Sequence, residues 1–241
     1  MNGKRSVDVA AGFSLRHKSK EGALYAALSE CFKEPCLEFA EDVATGRLYE
    51  VIAEGLRELD IPVLPDAIKG LRGDNPMMGP MVGPIIGPMI GPMIGKDEAI
   101  LNVYRRLRDA YYSLFFPLYV VPVESVYKAW KEGKDEKGYI MGDPAIEMKK
   151  RYAMAGIEIP VIYKDTPDHI SLLLEYASLL CENLEEESRA GFVSGHLDWV
   201  EDLRNDIYKY SESRFYRAVA DVTVSFLKGE RSNLLARRRC V

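Results

Sequence analysis

The chain has 241 residues, 47% of them apolar, and a formal net charge of −5 at pH 7. That length supports one large domain or two small ones with a real core, and the apolar share excludes disorder throughout. The acidic balance speaks against a nucleic-acid binder.

The charge is unevenly spread. Residues 1–20 hold five Lys or Arg against Asp8 alone, and residues 228–241 hold five against Glu230 alone. Between these tails lie 22 basic and 35 acidic residues, so the body carries −13. An acidic body attracts cationic partners at long range, although a plain solubility charge gives the same count. The run Arg237-Arg238-Arg239 reads as a solvated tail. Asp8 interrupts the only apolar stretch near the start, so no signal peptide is read there and a cytoplasmic location is expected.

In chain order, helices are predicted over 21–32, 36–45 and 46–59. Cys31 and Cys36, with Pro35 between them, read as small buried apolar side chains. With Cys181 and Cys240 they form no Cys-x-x-Cys pair, and the three histidines are scattered, so no metal site is expected. Next comes "MMGPMVGPIIGPMIGPMIG", residues 77–95, a Gly-Pro-apolar-apolar unit of period four. Its hydropathy suits a membrane span, but a proline every four residues removes helix donors that lipid cannot replace. It reads as a low-complexity insertion, at 73–96, between helices. Its end, "GPMIGKDE", lacks the spacing and the preceding strand of a phosphate-binding loop, so nucleotide binding is rejected there.

Helical periodicity resumes at Ile100, Tyr104, Leu107, Tyr111 and Leu114, and shorter helices fit 123–131 and 144–155. Gly and Pro then punctuate 156–167. Three further stripes follow: Ile170, Leu173, Leu174, Ala177, Leu180 and Leu184; Phe192, His196, Trp199 and Leu203; Phe215, Val219, Val222 and Phe226. No convincing strand alternation exists, and "PVIYK" at 160–164 is too short to form one. The expected fold is all-α, with about nine or ten helices in two lobes. A basic tail (1–20) precedes an N-terminal lobe (21–155). A hinge (156–166), a C-terminal lobe (167–229) and a second basic tail (230–241) follow.

The stretch "DTPDHISLLLEY", residues 165–176, invites two readings. Locally, Thr166 suits a helix N-cap, Pro167 the first helical position, and Asp168 the positive end of the helix dipole. Catalytically, Asp168 and His169 make two-thirds of a triad, with no nucleophile motif following. His196 lies in an apolar stripe and reads as a hydrogen-bonded core residue.

Residues 111–127, "YYSLFFPLYVVPVESVY", resemble the signature of the TorD/DmsD family of redox-enzyme maturation chaperones, which is related to NarJ. Tyr111, Leu114 and Phe115 match the family's helix end, and Pro122, Glu124, Ser125, Val126 and Tyr127 its following segment. Pro167, Asp168 and His169 match a second hallmark before a long apolar helix. "FVSGHLDW" supplies a looser third element, with Trp199 one place early, and "FKEP" at 32–35 sits where the family breaks a helix. The likeness runs from about residue 21 to 228. Phe116-Pro117 stands where Gly-Pro is usual, Val123 where an aromatic is frequent, and Leu173 where many members have Glu.

The resemblance implies a TorD-like helical chaperone, not an enzyme, binding no cofactor itself. Such proteins hold the twin-arginine leader of a molybdopterin or tungsten oxidoreductase subunit in the cytoplasm until cofactor insertion, before Tat export. Partners implied are that subunit, no nucleic acid and no stable membrane insertion, with the chaperone a monomer or a half-exchanged homodimer. Tyr111, Leu114, Phe115, Pro122 and Tyr127 are the expected apolar groove, and Glu124 and Asp168 the arginine partners. His169 would donate to a leader carbonyl or position Asp168. Ser125 belongs to the same segment and is expected to cap a helix over 126–131. "ENLEEE" at 182–187 reads as a solvated helix end. The competing readings are a hydrolase using Asp168 and His169, and a membrane-associated scaffold anchored by the Gly-Pro-Met arm.

Overall fold

The computed structural model describes residues 19–72, 96–116, 118–128, 138–183 and 186–238. The Gly-Pro repeat at 77–95, both tail ends and Cys240 lie outside these residues. Among the described residues there are eleven α-helices, one short 3-10 turn and no strand beyond a single isolated bridge. The all-α expectation therefore holds.

Local chemistry sets the helix ends. α1 (Lys20–Cys31) starts where the Ser19 hydroxyl accepts the Gly22 N–H at 3.0 Å. α2 (Leu37–Thr45) is capped by Cys36, whose Sγ accepts the Phe39 N–H at 3.4 Å. Cys36 is accordingly exposed rather than buried as expected, whereas Cys31 is fully buried. Gly46, in the left-handed region with φ 81°, ends α2 and at once begins α3 (Arg47–Glu58). α4 (Pro65–Gly70) has proline in its first turn and no counterpart among the predicted helices, because six residues are too few to show a period.

α5 (Lys96–Phe115) carries the Ile100–Leu114 stripe. α6 (Glu124–Tyr127) is a single turn and stops well short of residue 131, since Lys128 is already extended. α7 (Asp143–Ala155) ends at Gly156, and the 160–164 stretch forms a 3-10 turn (Val161–Tyr163). α8 (Ile170–Glu182), α9 (Glu186–His196), α10 (Val200–Tyr210) and α11 (Arg214–Arg238) complete the chain. The single stripe read across 192–203 is divided between α9 and α10. The break is held by the Trp199 indole N–H, which donates to the His196 carbonyl at 2.8 Å.

α1 lies along α8, α2 on α5, and both α4 and α10 against α11. Two buried serines fasten the first pair: the Ser29 hydroxyl donates to the Ser171 carbonyl and the Ser178 hydroxyl to the Gly22 carbonyl, both at 2.9 Å. One apolar core draws Leu28, Ile52 and Leu114 together with Leu173, Leu203 and Phe226, from both sides of the 156–166 segment. Each such side chain contributes about 1.5–3 kcal/mol on burial. α9 is tied to α11 by a buried ion pair, Arg189 Nε to Glu230 Oε1 at 3.1 Å, with Arg189 also donating to the Cys181 sulfur at 3.0 Å. Burial lifts the Glu230 carboxyl to about 7, outweighing the pull of Arg189 in the opposite direction.

α4 approaches α11 through Gly70. A Cβ at this position would sit 2.5 Å from the Ala218 Cβ and 3.0 Å from the Arg214 carbonyl oxygen. Gly70→Leu should therefore cost about 1–3 kcal/mol through overpacking. A urea unfolding curve superposing on the original would show that the two helices do not pack this way.

Candidate functional site

The two motif segments meet in the interior. The Ile170 N–H donates to the Pro122 carbonyl at 2.9 Å and the Glu124 N–H to the Asp168 carbonyl at 3.1 Å, making an antiparallel bridge of Val123 with His169. Beside it, Asp168 Oδ2 accepts from the Ser125 N–H at 2.8 Å and from the Ser125 hydroxyl at 2.5 Å. This explains why α8 starts later than expected. Asp168 finds two donors across the bridge, so it is not in the first helical turn, and Thr166 is not the cap. Pro167 and Asp168 form a turn closed by the His169 N–H on the Thr166 carbonyl at 3.0 Å. His169 itself is the N-cap, its Nδ1 accepting from the Ser171 N–H at 3.2 Å. Ser125 likewise does not cap a helix; Val123 holds that place for α6.

A second buried pair adjoins the first. His196 Nδ1 lies 2.9 Å from Glu124 Oε2, and the imidazole stacks on Phe192 with centroids 4.8 Å apart. Glu124 and Asp168 are both 0% exposed. His196 is thus the hydrogen-bonded core residue that its stripe suggested. Burial pushes the His169 imidazole down to about 3. Burial, then the charges of Arg151 and Lys128, push His196 to about 4. Burial also raises the Asp168 carboxyl, against the two Ser125 donors. The adjacent Asp168 and His169 side chains serve different partners, Ser125 and Ser171. Among the described residues no group of three or more His, Cys, Asp or Glu could hold a metal ion.

The structure brings Pro122, Glu124, Ser125, Asp168 and His169 into this one node, all buried. Leu114 and Phe115 point into the core, with Phe115 edge-on to Tyr216 at 5.5 Å. Tyr111 is half-buried against Phe115, at 5.0 Å. Tyr127 turns away toward α10, stacking on Trp199 at 5.0 Å and donating its hydroxyl to Asp206 at 2.9 Å.

Other residues near the node face solvent. Phe116, Leu118 and Tyr119 precede the bridged 122–125 segment, Val161 and Ile162 precede 167–169, and all five are exposed. Tyr139, Ile140 and Met141 are exposed too and lead into Gly142, where a Cβ would lie 3.2 Å from Ser125. Leu118 and Met141 have φ of 60° and 64°, a strained conformation for bulky side chains that is tolerated where surroundings impose it. Tyr119 is stacked flat on Tyr210 at 5.6 Å. Helical periodicity could not find these side chains because they sit in loops. The available signal was a run of large apolar residues placed out of period between helices.

The family model described as nitrate reductase delta subunit matches residues 97–213, a span that contains both bridged segments. The Chaperone protein TorD of Colwellia psychrerythraea is 25% identical over 113 residues, covering 46% of this chain and 48% of that protein. The Chaperone protein TorD of Shewanella loihica is 25% identical over 93 residues, covering 38% of this chain and 44% of that protein. That of Shewanella pealeana is 22% identical over 111 residues, covering 45% and 50%. The chain thus spans about half the length of the curated relatives it matches.

The depressed histidines give the node a signed pH dependence. Above the ordinary imidazole value of 6.5 their stabilisation is complete. As pH falls below it, the unfolded chain takes up protons that the folded chain refuses, and stability is lost progressively toward about 3 to 4. Unfolding free energies from urea curves at pH 7 and pH 5 should differ by roughly 1–2 kcal/mol per histidine. The His169→Asn, His196→Gln double variant should lose most of that difference; an unaltered slope would place the titration elsewhere.

Proposed function

We propose that the chain, whose residues 97–213 match the nitrate reductase delta subunit model and which resembles curated TorD proteins, is a redox-enzyme maturation chaperone of that family. Its client would be the catalytic subunit of a molybdopterin or tungsten oxidoreductase. It would bind the twin-arginine leader or N-terminus of that subunit in the cytoplasm and hold it through cofactor insertion, before export. The relatives that it matches are named as chaperones. The observation that carries the reading is structural: within the matched span, large apolar side chains are held out to solvent on loops rooted in one buried polar node. Exposed apolar surface of this kind marks a place for another chain rather than for bond-making.

In this reading the motif residues divide their work. Pro122, Glu124, Ser125, Asp168 and His169 fix the loops, and Leu114 and Phe115 anchor the helix that leads into them. Tyr111 and Tyr127, both half-buried, stand between that frame and the peptide. The hydrolase alternative lacks support, since Asp168 is bonded to Ser125 and His169 is turned to Ser171. Of the scaffold alternative, no described helix is long and apolar enough to cross a membrane, and the Gly-Pro-Met arm lies outside the described residues.

The test is direct binding. A labelled synthetic peptide with two adjacent arginines followed by an apolar run should bind the full chain at roughly micromolar Kd. Replacing both arginines by alanine should weaken it, and a scrambled peptide should not bind. Failure of both this peptide and the intact oxidoreductase subunit to bind would end the proposal.

A further inference from the structure

Resting on the leader-binding reading, we propose that the apolar segment of the bound peptide is seated in a cleft between α1, α7 and α8, with a basic residue against Glu158 and Glu175. The cleft lies beside the 157–160 segment, between α7 and the turn that leads into Pro167. Its walls are Ile157 and Ile159 on one side and Leu172 and Leu179 on the other. Its volume is about 200 Å³. Pockets that hold drug-sized ligands or cofactors are about 300–1,000 Å³, so this one suits one or two aliphatic side chains.

Charge narrows the occupant further. Glu158 and Glu175 are the charged residues lining the cleft. Glu175 Oε1 engages the Lys33 ammonium, and Lys33 also meets Glu30 at 2.6 Å. Two carboxylates therefore share one ammonium, Glu158 adds a further negative charge on the lining, and the rim stays negative. An apolar floor with a negative rim complements an apolar peptide segment that carries a cation beside it, and repels an acidic one. Leu179 is 37% exposed and Glu158 is exposed, so a peptide can reach both without the fold opening.

The experiment uses the full chain and the labelled twin-arginine peptide described above, with circular dichroism confirming that each variant folds. Glu158→Lys and Leu179→Glu should each weaken binding about tenfold. Leu64→Glu, the same apolar-to-acid change at a more exposed residue at the start of α4, should leave it unaltered. A peptide with glutamates replacing its arginines should bind Glu158→Lys better than it binds the original chain, and added salt should weaken the original pair. If the original chain binds the twin-arginine peptide while Glu158→Lys and Leu179→Glu bind it within twofold, the cleft assignment is overturned and the leader reading survives. If the original chain binds no such peptide, the leader reading falls and the cleft assignment falls with it.

Discussion

A carboxylate taken out of water must find donors or give up its charge, and Asp168 meets that demand with the N–H and hydroxyl of Ser125, 43 residues earlier in the chain. The requirement is local, but its consequence is long-range. It pulls two loops into an antiparallel contact, fixes where α8 can begin, and leaves the next residue, His169, to cap that helix. The adjoining Glu124–His196 pair repeats the logic on the other side of Ser125 and joins α9 to the same point. With α6, α8, α9 and two loops meeting at buried polar groups, removing any one partner strands another in a place that water cannot reach.

Such a node changes what its surroundings can tolerate. Loops carrying Phe116, Leu118 and Tyr119 would ordinarily relax to hide those side chains. Here their ends are fastened, and Leu118 and Met141 remain in the left-handed region that bulky residues avoid. Strain and exposed apolar surface occur together because a rigid interior enforces both. On the chaperone function proposed above this is useful, since a surface already ordered gives up little conformational freedom when a peptide segment binds.

Much of the fold was legible in the sequence. The helices at 20–31, 37–45, 47–58 and 143–155 fall within a residue or so of their predicted ends, because Gly or Pro lies close to the ends of each. What escaped notice escaped for physical reasons. α4, at six residues, is too short to display a period, and Cys36 reads as apolar by composition when its sulfur acts as a cap. In the site, the motif residues were found but not their directions. Thr166 is an excellent cap in isolation, and only the distant Ser125, invisible to local spacing, displaces the helix start to Ile170. The same blindness applies to Leu114 and Phe115, which face the core while Phe116 faces out.

The elbow at Gly46 has a mechanical meaning. One residue both ends α2 and starts α3, so no slack chain separates them. α2 rests on α5, α3 on α1, and α1 on α8. The two helices thus form one bent unit without slack, one arm packed on the helix that leads into Phe116 and the other on α1, which lends Ala26 to the Glu158 cleft.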